Sequence, residues 1–321
     1  MVVSIPSSLI STIQAAARDW AYTQGLYFAR LDPHPYLFST RVGVEFVPPF
    51  NPPSDPHELS SVPDSCWAVG VGYITSTIVS HTFLTGQTGS GKTSAMRALI
   101  RSVRDHADHV AIIDPKGFDF RGFEVGSLGG GSNYAFSDSD ILDLLRRVYA
   151  DVTSFYSALS AASLSQGRHL VVPSSPSKYL FVDELGMLSK EAVSLLDQIM
   201  RFCRAAGWVV VVATQHAQKD KSPIREHCAV VFAFTRLDVS AAASALGLLS
   251  DQDALNKIPS GLRRPGVAFV RPASLVGAYP FDVDRDIGLV YFVDRDSHDQ
   301  RAYAYIASPP RSPVLPSSPN P

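Results

Sequence analysis

Short apolar runs alternating with longer amphipathic stretches dominate the middle of this chain. Residues 81–85, 109–113, 179–182 and 208–213 each read as a strand bounded by polar or turn residues. The last run, WVVVVA, is continuously apolar, as expected of a strand buried on both faces. Trp67, Val69, Val71 and Tyr73 alternate with small or polar neighbours in the strand period. Met96, Leu99, Ile100 and Val103 instead recur at the i, i+3, i+4, i+7 spacing of an amphipathic helix. Strands alternating with helices from residue 67 to about 307 predict an α/β fold, a mostly parallel sheet flanked by helices. Near the end, residues 289–293 and 302–306 read as a β-hairpin with an acidic connection.

The flanks have a different texture. Leu9, Ile13, Ala16, Ala17 and Trp20 predict one helix over residues 7–25, with Gly25 as its stop. A Pro-rich stretch follows at 48–56, where backbone donors are missing and irregular or extended structure is favoured. The expected organisation is therefore residues 1–65 as an N-terminal helix and Pro-rich segment, 66–307 as the α/β domain, and 308–321 as a disordered Pro/Ser-rich tail.

Composition narrows the function classes. The 321 residues include 28 Lys+Arg against 30 Asp+Glu, a net charge of -2, with 45% hydrophobic residues. That excludes a wholly disordered chain and removes any global basic excess as an argument for nucleic acid. Cys66, Cys203 and Cys228 are isolated, so neither a disulfide framework nor a zinc site is expected. The N-terminus lacks a basic n-region and a cleavage site, so no signal peptide is expected and the cytoplasm is the default compartment. Residues 65–91 carry no charge until Lys92, but Ser, Thr, Gln and His interrupt them, so no integral membrane segment is expected.

The densest chemistry lies in Gly86, Gln87, Thr88, Gly89, Ser90, Gly91, Lys92 and Thr93, a complete GxxxxGK[ST] motif between a strand and a helix. Its backbone N–H groups would cradle the phosphates of ATP at a helix N-terminus. Lys92 would reach the β- and γ-phosphates, and the Thr93 hydroxyl would hold Mg²⁺. A hydrolytic site needs further acids, and the strand at 179–182 ends in Asp183 and Glu184. Asp183 would hold Mg²⁺ and Glu184 would orient the attacking water; the same pair also suits the first turn of a helix without any catalytic part. The strand at 208–213 ends in Thr214 and Gln215, a polar pair placed to sense the γ-phosphate or position water. The strand at 109–113 ends in Asp114, Pro115 and Lys116, an acid and a base at one sheet edge.

These pieces, in this order, resemble the motor domain of the FtsK/SpoIIIE DNA translocases within the FtsK–HerA superfamily. The phosphate loop is similar to that family's TTGSGKS, residues 112–116 to its IDPK strand end, and residues 181–184 to its Walker B strand. Arg204 to Gly207 followed by Ala213 to Gln215 resembles its RAAG…LATQ. The resemblance covers roughly residues 67–275 and implies a RecA-like P-loop NTPase fold, ATP hydrolysis with Mg²⁺, and double-stranded DNA as the partner of a homo-oligomeric ring, a hexamer in the family. It departs from the family after Gln215, where His216 to Lys219 replace RPS, and at Val231, which occupies the place of an expected arginine. A trans-acting arginine finger would then be Arg225 or Arg236. Neither a winged-helix domain nor a membrane-spanning domain is expected, the pattern of a compact plasmid, mobile-element or viral relative.

For DNA, the basic loops are Lys219 and Lys221 after the Gln215 strand end, and Arg263 and Arg264 within PSGLRRPG. A ring motor needs charge only on such loops, so near-neutrality and DNA binding are compatible. Two other readings stand beside the DNA motor: a protein-secretion ATPase of the same superfamily, and a scaffold that assembles on ATP.

Overall fold

A computed structural model describes residues 78–166, 176–215, 223–237, 239–248, 265–276, 278–282 and 285–292, together with the backbone of four short strands nearer the N-terminus. The expected helix over 7–25, the tail from 308 and the strand at 302–306 lie outside the described residues.

Strands β1 (Tyr27–Leu31) and β2 (Val44–Val47) pair antiparallel as a separate two-stranded sheet. The other strands form one sheet of 11: β3 (Cys66–Ala68), β4 (Gly72–Tyr73), β5 (Thr82–Thr85), β6 (His109–Ile113), β7 (Tyr134–Ala135), β8 (Lys178–Val182), β9 (Trp208–Thr214), β10 (Val230–Phe234), β11 (Val267–Arg271), β12 (Tyr279–Asp282) and β13 (Ile287–Phe292). Its parallel block runs β10-β5-β9-β8-β6-β7. An antiparallel extension, β11-β13-β3-β4 with β12 beside β13, continues from β10. The α/β expectation therefore holds. The alternating run from Trp67 to Tyr73 contains two short antiparallel strands. The run near residue 290 is β13, whose observed partners are β11, β12 and β3.

Why β9 reads as WVVVVA is plain from its place. It sits between β5 and β8 with all seven residues buried. Val210 and Val212 join the apolar layer on one face, and Val209, Val211 and Ala213 join the layer on the other. Helix α1 (Lys92–Arg104) covers the second face with Met96, Leu99, Ile100 and Val103, as the spacing predicts. Helices α2 (Asp138–Gln166), α3 (Lys190–Met200) and α4 (Val239–Leu246) contribute to the first, through residues such as Leu145, Val148, Leu196, Ile199 and Ala243. Trp208 anchors the start of β9: it is fully buried, and its indole Nε1 donates to Asp151 Oδ2 (2.8 Å), which also takes the Lys178 ammonium at 2.7 Å.

One buried base gives this core a pH dependence. His81 Nδ1 accepts from the Val210 backbone N–H (3.0 Å), so the ring must stay neutral to make that bond. Burial first, then the nearby Arg204 charge, lower its pKa from 6.5 to about 4. The unfolded chain therefore takes up a proton as pH falls below 6.5 while the folded chain does not. The stability this provides is complete above the unfolded pKa and is lost progressively down to pH of about 4, by roughly 3 kcal/mol at most. Denaturant midpoints measured at pH 7 and pH 4.5 should differ less for His81→Asn, whose amide oxygen can still accept from Val210.

Candidate functional site

The phosphate loop joins β5 to α1, and its path is set by contacts at both ends. Gly86 N donates to Thr214 O at the end of β9 (3.3 Å), and Ala95 N returns to Gly91 O (2.9 Å) as α1 begins. Gly91 has φ of 100°, a conformation an L side chain rarely takes. A Cβ there would lie 2.5 Å from Gly266 N, because Gly266 at the start of β11 donates its N–H to Ser90 O (2.8 Å). The loop is thus pressed, backbone against backbone, onto the turn that enters β11. Gly266 O in turn accepts from Phe292 N on β13 (2.9 Å).

Lys92 is buried and folds back onto its own loop, donating to Gly86 O (2.6 Å) and Gln87 O (3.2 Å). Burial lowers its pKa, opposed by the fields of Glu184 and Asp183. Its charge therefore lies inside the loop among carbonyl dipoles.

The three strand ends beside the loop carry the remaining chemistry. Asp183 and Glu184 follow β8 directly and are almost completely buried. Glu184 has φ of 51°, a left-handed conformation uncommon outside glycine, which carries backbone strain of about 1–3 kcal/mol. That turn sends its carboxylate towards β9, where Oε1 accepts from Gln215 N (3.2 Å) and Oε2 from Gln215 Nε2 (2.8 Å). Gln215 Oε1 accepts from Thr88 Oγ1 (3.0 Å), closing a chain from Glu184 through Gln215 to the phosphate loop.

Asp114, at the end of β6, is fully buried and its carboxylate is spent on its own loop. Oδ1 accepts from Lys116 N (3.1 Å), and Oδ2 from Asp119 N (2.8 Å), Phe120 N (3.3 Å) and Tyr134 OH (2.8 Å). The effect is to aim Lys116 at Asp183, with Nζ 2.9 Å from Oδ2. Burial pushes Asp183 above the usual carboxylate pKa, while the Lys116 ammonium pulls it down. For Lys116, burial opposes the charge, but the hydrogen bond and field of Asp183 outweigh it and raise its pKa. The two tendencies conflict for Asp183; a 2.9 Å contact with a lysine held charged marks an ion pair, and the carboxylate is ionised.

The oxygens of Thr93 and Asp183 are the hard donors that suit Mg²⁺, and the ammonium resting on Asp183 demonstrates that this carboxylate accepts a cation. Asp114, Asp119 and Asp183 also come together, but the Asp114 carboxylate is already spent on four donors and Lys116 fills the space between the other two.

The sequence-predicted residues divide as follows. Gly86 to Thr93, Asp183, Glu184 and Gln215 converge at the C-terminal edge of the parallel block. Arg236, exposed after β10, donates from NH1 to Gly89 O (3.0 Å) in its own chain. Arg225 is half-buried, with Nε and NH2 both on Ala245 O in α4 (3.0 and 2.9 Å). Either arginine would have to give up this contact to serve a neighbouring subunit. Lys219, Lys221, Arg263 and Arg264 lie outside the described residues. Sequence reasoning missed the reach of Lys116 to Asp183 and the approach of Gly266 to the loop; the acid and base around Pro115 were the available signal for the first. Among the described residues no helix is long and apolar enough to cross a membrane.

Part of the chain and its fold have counterparts among known proteins. The model of the type IV secretion-system coupling protein DNA-binding domain family matches residues 66–125, which include the phosphate loop and Lys116. The pCW3 conjugation coupling protein TcpA, in its ATPγS-bound monomer form, is similar at a TM-score of 0.50 and 17% identity, over 92% of this chain and 84% of that one. EssC ATPases 2 and 3 from Geobacillus thermodenitrificans are similar at 0.48 and 13% identity, over 83% of this chain but 49% of theirs. The DNA-packaging ATPase B204 of Sulfolobus turreted icosahedral virus gives 0.40 and 12% identity, over 67% of this chain and 98% of that one. No curated protein matches significantly. Residues 66–125 are thus similar to that coupling-protein family, and the chain shares the α/β fold of TcpA.

Proposed function

We propose that this chain is an ATP-driven motor that moves double-stranded DNA, in transfer, segregation or packaging, as a homo-oligomeric and by resemblance hexameric ring. The observation that carries the reading is the hydrogen bond between Ser90 O and Gly266 N. It fastens the phosphate loop to the segment that bears Arg263 and Arg264, three and two residues before Gly266 in the sequence. A change at the nucleotide thus has a short route, through this hydrogen bond and the adjoining backbone, to the basic residues proposed to meet DNA. The coupling-protein DNA-binding family matched at 66–125 favours DNA over a protein cargo.

In this reading the loop amides and Lys92 hold the ATP phosphates, Lys92 exchanging the Gly86 and Gln87 carbonyls for them. Thr93 and Asp183 would hold Mg²⁺, which when bound supplies charge neutralisation at the phosphates. Glu184 orients the attacking water, and Gln215, tied to both Glu184 and Thr88, reports whether the γ-phosphate is in place. Arg225 or Arg236 of a neighbouring subunit would add positive charge on the far side of the phosphates.

The test is ATP turnover by the full chain with and without duplex DNA, at several salt concentrations. Duplex DNA should stimulate turnover, the stimulation should weaken steeply with salt, and Arg263→Ala/Arg264→Ala should abolish it. Turnover by assembled rings that is indifferent to DNA would overturn the proposal.

A further inference from the structure

We propose that Lys116 is a tethered counter-ion for Asp183, occupying the Mg²⁺ position between turnovers and moving to Asp119 when metal and nucleotide arrive. This inference rests on the nucleotide-binding part of the reading above and assigns a residue that the motifs leave without a part.

Three observations lead to it. The ammonium Nζ is 2.9 Å from Asp183 Oδ2, the carboxylate expected to take the metal, and that carboxylate is 1% exposed. A charge so buried is costly without a partner, and a metal ion on the same carboxylate would meet the ammonium's repulsion at close range. Lys116 also has somewhere to go: Asp119 Oδ2 is already 3.6 Å from Nζ. Finally, the landing place is wired to the nucleotide. Arg97 stands one turn after Thr93 on α1, donates from Nε and NH2 to Asp119 O (3.1 and 3.0 Å), and lies 3.5 Å from Asp119 Oδ1. The helix that begins at the phosphate loop thus holds the carboxylate that would receive Lys116. With Asp114 fixing the backbone of Lys116 and of Asp119, only the lysine side chain has to move.

The consequence is a metal requirement set by a competitor inside the protein. Removing the competitor should strengthen metal binding, and removing its alternative partner should weaken it. The experiment follows binding of a fluorescent ADP analogue to the full chain while MgCl₂ is titrated, so no turnover is needed. Lys116→Met should lower the half-saturating Mg²⁺ concentration by about tenfold. Lys116→Arg, which keeps the charge, should stay near wild type, and Asp119→Asn should raise the requirement.

Thermal stability supplies the second readout. Lys116→Met should destabilise the nucleotide-free protein, where Asp183 is orphaned, and leave the Mg²⁺-nucleotide form nearly unchanged. Equal losses in both forms, or an unchanged or raised Mg²⁺ requirement in Lys116→Met, would overturn the inference while leaving the motor reading intact. Failure of the wild-type chain to bind the ADP analogue at any Mg²⁺ concentration would overturn both.

Discussion

Glu184→Gln is expected to lower ATP turnover by about 10²–10⁴-fold, the usual contribution of a positioned general base, while nucleotide remains bound. The substitution is close to isosteric, and an amide in place of the carboxylate can still accept from Gln215 N through its oxygen. What it loses is the negative charge that polarises water and the acceptor that now takes Gln215 Nε2. Gln215 can turn its amide over to meet the new donor, Thr88 Oγ1 then accepting from its Nε2 in place of donating. The predicted phenotype is therefore specific: rapid binding of ATP, very slow release of phosphate, and persistence of whatever assembly ATP promotes. Single-turnover measurement of phosphate release, set beside equilibrium binding of a non-hydrolysable analogue, separates this from simple misfolding. If turnover survived within a few-fold of wild type, Glu184 would be serving only to fix the end of β9, and the water would be placed by another group.

The second large effect concerns a residue without a side chain. Gly91→Ala puts a methyl group 2.5 Å from Gly266 N and 2.8 Å from Gly266 Cα, in a backbone conformation with φ of 100°. The conformational penalty is about 1–3 kcal/mol, and forcing a methyl into packed backbone adds another ~1–3 kcal/mol. Neither neighbour is a flexible side chain that can swing aside. The protein can respond only by lifting the phosphate loop away from β11, which breaks the bond from Gly266 N to Ser90 O. A fall in Tm of about 5–15 °C is expected for a chain of this size, with nucleotide affinity reduced at least as severely because the loop amides lose their cradle geometry. Differential scanning fluorimetry with and without nucleotide checks both: wild type should be stabilised by ligand, and the variant should be stabilised much less.

How much of this was legible in the sequence depended on which physical constraint each residue answered to. Strands β6, β8 and β9 were readable because central parallel strands bury both faces and so become apolar throughout. Helix α1 was readable because one face alone is buried, which leaves a 3.6-residue period. The phosphate loop was readable because its chemistry is local, with donors, lysine and hydroxyl lying within eight consecutive residues. Contacts made across the fold left no such trace. Lys116 reaches Asp183 only because β6 and β8 are neighbours and Asp114 bends the intervening turn. Arg225 was attractive as a finger from its place in the motif order, yet its guanidinium is held by Ala245 O, an acceptor presented by the end of a helix. The antiparallel extension was least visible: β3 and β4 are too short to show a period beyond a few residues, and β13 takes on its outer side β3, a strand from the far end of the chain.

Gly266 gives away both of its backbone groups, its N–H to the phosphate loop and its carbonyl to Phe292 on β13. That places a late strand under an early motif, and it bears on the order in which the protein is made. A chain emerging from the ribosome has every motif residue, through Gln215, before the strand that braces its phosphate loop has been synthesised. The brace on the phosphate loop is therefore acquired only when Gly266 has docked, with β13 behind it. Until then the nascent chain carries the motif residues on an unbraced loop.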